Sequence, residues 1–106
     1  MKRTLATLTV LALVGAVVAP ALAAGPNGQE LYEKKCAMCH GKDGVAKATG
    51  KGSGNFNDPA WQEKNTAEAI VTATTDGIKD TKMPAYKDKL TADEIKAIAE
   101  YIKTLK

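Results

Sequence analysis

The chain has 106 residues, of which 44% are hydrophobic and 25% charged, a composition that suits one globular domain and excludes a disordered polymer. One histidine and two cysteines are too few for a multi-histidine metal site or a dense disulfide scaffold. The formal charge is +3, but without Lys2 and Arg3, which fall in an expected leader, 13 lysines face 12 acids for a net of +1; that excludes a strongly basic nucleic-acid binder, whose affinity comes from neutralising many phosphates.

Lys2 and Arg3 precede an apolar run from Leu5 to Ala19, Pro20 breaks it, and Ala21-Leu22-Ala23 supplies a small-x-small end. That order predicts a secretory signal peptide over residues 1–23. The apolar run is short for a membrane-spanning helix, which needs about 20 residues; an uncleaved anchor is the alternative. Cleavage after Ala23 leaves a domain of 83 residues, 24–106, expected to be soluble and periplasmic. A domain of this size buries only about 60–65% of its unfolded surface, so it leans on a bridge, a metal or a cofactor.

Within the mature chain the signals are helical, and no strand pattern stands out. Asn27 and Glu30 have capping-box spacing, with Pro26 and Leu31 as a staple, and predict a helix from about Gly28 into the Cys36–His40 region. Tyr32, Cys36, Cys39 and His40 then share one helical face. Gly41 to Asp58 reads as a loop punctuated by five glycines, long enough to wrap or do something. Asn65 and Glu68 mark a second helix start, Ala67, Ile70, Val71 and Thr74 its apolar stripe, and Gly77 a left-handed end. Residues 78–90 are irregular. The last helix has a capping box (Thr91, Glu94), a staple (Leu90, Ile95) and a stripe of Ile95, Ile98, Ile102 and Leu105, with Tyr101 at its edge.

The pentapeptide Cys36-Ala37-Met38-Cys39-His40 is the most specific signal, because C-x-x-C-H is the attachment pattern of a c-type haem. Two cysteines three apart can each form a thioether with one of the two porphyrin vinyl groups. The next residue can place an imidazole under the iron as proximal ligand. A thioredoxin-like pair would need a βαβ pattern, a zinc site would need four ligands, and a local disulfide would stabilise little.

With one histidine, bis-histidine ligation within one molecule is excluded. Met38 lies inside the attachment loop, so Met83, stiffened by Pro84, is the expected second axial ligand, with Lys79, Lys82 or an open position as alternatives. Filling both axial positions keeps oxygen and substrates off the iron and leaves one-electron change as its chemistry. Tyr32, Ile70, Val71, Ile98 and Ile102 are expected to bury the porphyrin. The haem supplies the missing core, so the haem-free chain should be largely unfolded, which far-UV circular dichroism checks.

Gly28 and Tyr32 before the Cys36–His40 motif, then Met83-Pro84-Ala85-Tyr86, then Leu90-Thr91 and Ile98-Ala99-Glu100-Tyr101-Ile102 resemble class I cytochrome c of the small soluble bacterial and photosynthetic type, across the whole mature chain. The resemblance implies an all-α fold of three or four helices around one covalently attached haem c. It also implies first and last helices crossing near Gly28 and Tyr101, and electron shuttling between larger redox proteins; a monomer is expected and, with no substrate chemistry at the iron, no enzyme. One feature departs from it: family members often carry a proline whose carbonyl accepts the proximal imidazole proton, and here none occurs before Pro59. No carbonyl is therefore assigned to His40. Trp61 is expected either to reach a haem propionate through its indole donor or to pack in the core. Lys79, Lys82, Lys87 and Lys89 flank Met83 as a docking rim or, with Asp76, Asp80 and Asp88 interleaved, as a solvated face.

Overall fold

The structure is a computed structural model; apart from Gly15, the residues it describes run from 25 to 106. The expected leader and its cleavage point lie outside the described residues. Among the described residues, five α-helices and one 3₁₀ turn occur in the order α1 (Gly28–Lys35), α2 (Ala37–His40), the turn Ala48–Gly50, α3 (Pro59–Lys64), α4 (Ala67–Asp76) and α5 (Ala92–Ile102). No strand appears among the described residues.

Four of these five helices, all but α2, start where a short polar side chain satisfies a free amide. Asn27 Oδ1 accepts from Glu30 N at 3.1 Å to start α1. In α5 the capping box closes both ways, Thr91 Oγ1 accepting from Glu94 N at 3.1 Å and Glu94 Oε1 accepting from Thr91 N at 2.9 Å. The start of α4 differs by one residue from the sequence expectation. Thr66, not Asn65, caps it, with its hydroxyl accepting from Ala69 N at 3.1 Å. Asn65 instead ends α3 and donates its side-chain amide to Trp61 O at 2.9 Å. Helix α3 itself is absent from the sequence reading; Asp58 Oδ1 caps it at 2.9 Å, with Pro59 in its first turn, where a missing N–H costs nothing.

The first helix also departs from expectation, because it does not run unbroken to His40. Cys36 ends α1 with φ stretched to −115°, still in the right-handed region, and α2 restarts at Ala37. Lys103 closes the far end of α3, donating to Gln62 O at 2.6 Å and Asn65 O at 2.8 Å.

Helices α1 and α5 cross where Gly28 lies against the Ala97 backbone; a Cβ at Gly28 would collide with the Ala97 carbonyl. This is one turn earlier than the expected contact with Tyr101, whose ring instead meets Tyr32 with centroids 5.3 Å apart. Below the crossing lies a core of Tyr32, Phe56, Ile70, Leu90, Ile95, Ile98, Ala99 and Ile102. The predicted stripes thus face inward: Ile95 and Ile98 are fully buried, and Val71 and Leu105 pack against the cluster. Among the described residues no helix is long and apolar enough to cross a membrane.

Candidate functional site

The Cys36–His40 segment is one helical turn with both ends fixed. Cys39 N and His40 N both donate to Cys36 O, at 3.1 and 2.9 Å, and Gly41 N donates to Ala37 O at 2.9 Å. The 3₁₀ turn lies against it: Lys47 N donates to Cys39 O at 2.9 Å and Thr49 Oγ1 to Met38 O at 2.7 Å. From the other side the Tyr32 hydroxyl, in the fully buried side chain of α1, donates to Gly41 O at 2.6 Å. The expected grouping of Tyr32 with the motif therefore holds despite the break at Cys36, through the phenol rather than through one continuous helical face.

No disulfide joins the two cysteines; Cys36 is buried and Cys39 half-buried. Burial, with Cys39 beside it, pushes the Cys36 thiol up to about 11, so its sulfur is uncharged at neutral pH. Burial also holds His40 below the ordinary imidazole value, which favours the neutral form a metal ligand must take. His40 Nδ1 is buried and meets no hydrogen-bond partner among the described residues. The imidazole instead stacks on Phe56, with centroids 4.6 Å apart and planes 24° from parallel.

Phe56 and its surroundings are the part of the site that sequence reasoning missed. The segment from Gly41 to Asp58 folds back on itself: Phe56 N donates to Gly44 O at 2.7 Å, and Ala46 N to Asn55 Oδ1 at 3.0 Å. Gln62 then locks it to the last helix, its Nε2 donating to Phe56 O at 2.6 Å and to Ile102 O at 2.8 Å. Trp61 packs against the core, its ring 4.4 Å from Phe56. The only available signal was that Phe56 is the sole phenylalanine and the one large apolar side chain in the second half of a glycine-rich loop.

Met83 lies half-buried on the segment between α4 and α5. That segment is held by its backbone. Ile78 N donates to Met83 O at 3.2 Å, and Thr81 Oγ1 accepts from Met83 N at 3.2 Å while donating to Ile78 O at 2.7 Å. Gly77, at φ +71°, is where the chain turns out of α4; a Cβ there would lie 2.8 Å from Ala85 N and 2.9 Å from Met83 O, so this close return suits glycine alone.

Tyr86 carries the segment to the attachment turn. Its hydroxyl donates to Lys35 O at 3.3 Å, next to Cys36. Its backbone N donates to Thr74 O at 2.9 Å. Burial pushes the Tyr86 phenol up, with the two cysteine sulfurs adding to the effect. Tyr86 lies three positions after Met83, so their Cα atoms lie within about 11 Å. The chain therefore brings the Met83–Tyr86 motif beside the end of α1, Tyr86 meeting Lys35 from 51 residues away.

This donor set fits a covalently attached haem. Two unpaired thiols sit on one turn, a buried imidazole held neutral follows them, and a half-buried thioether lies on the segment docked beside them. Lys79, Lys82, Lys87 and Lys89 are exposed around that segment, and among the described residues none forms an ion pair within 4 Å. A groove of about 490 Å³ between α4 and α5, floored by Ala67, Val71 and Ala99, contains none of the four donors.

A family profile described as "Cytochrome C oxidase, cbb3-type, subunit III" matches residues 23–102. Cytochrome c-553 of Helicobacter pylori strain J99 is 35% identical over 106 residues, covering all of both chains. Cytochrome c6 of Microcystis aeruginosa is 36% identical over 80 residues, covering 72% of this chain and 90% of that one. The cbb3-type cytochrome c oxidase subunit FixP of Azorhizobium caulinodans is 34% identical over 82 residues. The match takes in 77% of this chain and 27% of FixP, so the chain spans about a quarter of that relative's length. Among solved structures, the KustC0563 c-type cytochrome superposes with a TM-score of 0.70 at 35% identity, over 76% of this chain and 99% of that one.

Proposed function

The chain belongs to the class I cytochromes c, electron carriers with covalent haem c rather than enzymes, and from that premise we propose that it is a soluble periplasmic carrier whose haem is ligated by His40 and Met83. The covalent haem supplies a one-electron ferric–ferrous couple. Cys36 and Cys39 anchor it as thioethers, each S–H adding across one vinyl group. His40 gives the proximal nitrogen, and Met83 gives a thioether that favours ferrous iron and raises the potential relative to a second histidine. With His40 and Met83 both holding the group, no open position would be left for a substrate; Tyr32, Ile98 and their neighbours would keep water out, and electron transfer would be the remaining chemistry.

The observation that carries this reading is the Tyr86–Lys35 contact, which lays the Met83 segment beside the attachment turn. Residues 1–23 act as the signal peptide and 24–106 as the carrier domain. The lysines around Met83 provide a weakly steering rim for larger redox proteins that donate and accept electrons, and the carrier works as a monomer.

Mass spectrometry of exported protein tests attachment and cleavage together, with the expected mass being residues 24–106 plus one haem. The oxidised protein should show a far-red thioether-to-iron band that Met83→Ala abolishes while His40 and the attached haem remain. A wild-type protein without that band, or a variant that keeps it, contradicts the Met83 assignment.

A further inference from the structure

An imidazole turns easily about its Cβ–Cγ bond, because terminal torsions of this kind have broad, two-fold wells. A ligating histidine is therefore usually fixed by a hydrogen bond from its second nitrogen. His40 Nδ1 meets no such acceptor among the described residues, yet the ring is half-buried and must be held by something. The one ring stacked on it is Phe56, at 4.6 Å and 24°.

Phe56 is itself unusually constrained. Its N–H is bonded to Gly44 O, its carbonyl is bonded to Gln62 Nε2, and its ring also contacts Trp61 and, at 6.4 Å, Tyr32. Gln62 in turn reaches Ile102 O of α5. A rigid aromatic face tied to the last helix thus abuts a ring that lacks any polar tether.

We propose that Phe56 is a positioning residue: its face, stacked on His40, sets the plane of the imidazole and hence the orientation in which the proximal nitrogen is presented to iron. This rests on the reading of His40 as the proximal ligand. A ring face resists rotation of the imidazole plane, whereas an aliphatic side chain of similar volume fills the space without selecting a plane.

The test uses the exported haem-bearing protein and the variants Phe56→Leu and Phe56→Tyr. In the oxidised state, electron paramagnetic resonance g-anisotropy and the spread of haem-methyl NMR shifts both report the ligand plane. Phe56→Leu should change both and move the reduction potential, while Phe56→Tyr, which keeps the ring, should restore the wild-type pattern. If Phe56→Leu fails to retain haem, Phe56→Met is expected to show the same change. A wild-type pattern in the aliphatic variant, or an equal change in Phe56→Tyr, overturns the proposal while leaving the ligand reading intact. A wild-type spectrum without a nitrogen-ligated low-spin haem overturns both.

Discussion

Around His40 the chain is held by packing, and around Met83 it is held by backbone hydrogen bonds. The first region rests on Tyr32, Phe56 and Ile98, all buried, and on the close crossing of α1 and α5 at Gly28. The second has exposed side chains from Ile78 to Lys82, and its order comes from the Ile78–Thr81–Met83 bonds and from Tyr86 at its end. Segments with few buried apolar contacts open locally at lower cost than a packed core. The proposed nitrogen ligand is thus set in the rigid half and the proposed thioether in the compliant half. On that contrast, the proposed sixth ligand should be lost before the fold is.

The largest effect should come from the rigid side. Ile98→Ala removes a fully buried side chain beneath the helix crossing and is expected to cost about 2–5 kcal/mol in denaturant unfolding. A change under about 0.5 kcal/mol, as at an ordinary surface site, would break the contrast. A smaller loss, about 1 kcal/mol, is expected for Tyr32→Phe, which removes the hydroxyl donated to Gly41 O.

That variant also has a pH signature. Burial raises the Tyr32 phenol well above its ordinary value of 10.0, so the folded state keeps a proton that the unfolded state gives up. Its contribution is fully present below pH 10 and is lost as pH rises beyond it. Tyr32→Phe should therefore lose less stability than wild type between neutral and strongly alkaline solution. An identical alkaline slope in the two proteins would contradict the burial argument.

The smallest effect sharpens the compliant side. Thr81→Ala removes the hydroxyl that bonds both Met83 N and Ile78 O. It should change global stability by less than about 1 kcal/mol, since the bonds are exposed, while speeding amide exchange at Ile78 and Met83. Unchanged exchange at both amides would show that the segment is held by something other than these bonds.

What was legible in the sequence follows the same division. Caps and stripes are local, so Thr91 with Glu94, and Ile95, Ile98 and Ile102, stand in the structure where the pattern placed them. The C-x-x-C-H turn is local too, and so is the positive φ at Gly77. The shift of the α4 cap from Asn65 to Thr66 reflects two neighbouring capping residues competing for adjacent helix ends, which only the presence of α3 decides. Phe56 was illegible because its role depends on a loop folding back through the Gly44 carbonyl and on Gln62 bridging to Ile102 O, 40 residues away. The break at Cys36 was hidden because Cys36 O still accepts from both Cys39 N and His40 N, so helical spacing continues across it.

The central claim is that Met83 caps an iron whose other face is held by His40, and adding carbon monoxide to the reduced protein tests it most directly. Wild type should bind the gas slowly or not at all, because the thioether must first leave, and Met83→Ala should bind it at once. Rapid binding by wild type, at the rate of the variant, would show an open sixth position and contradict the account.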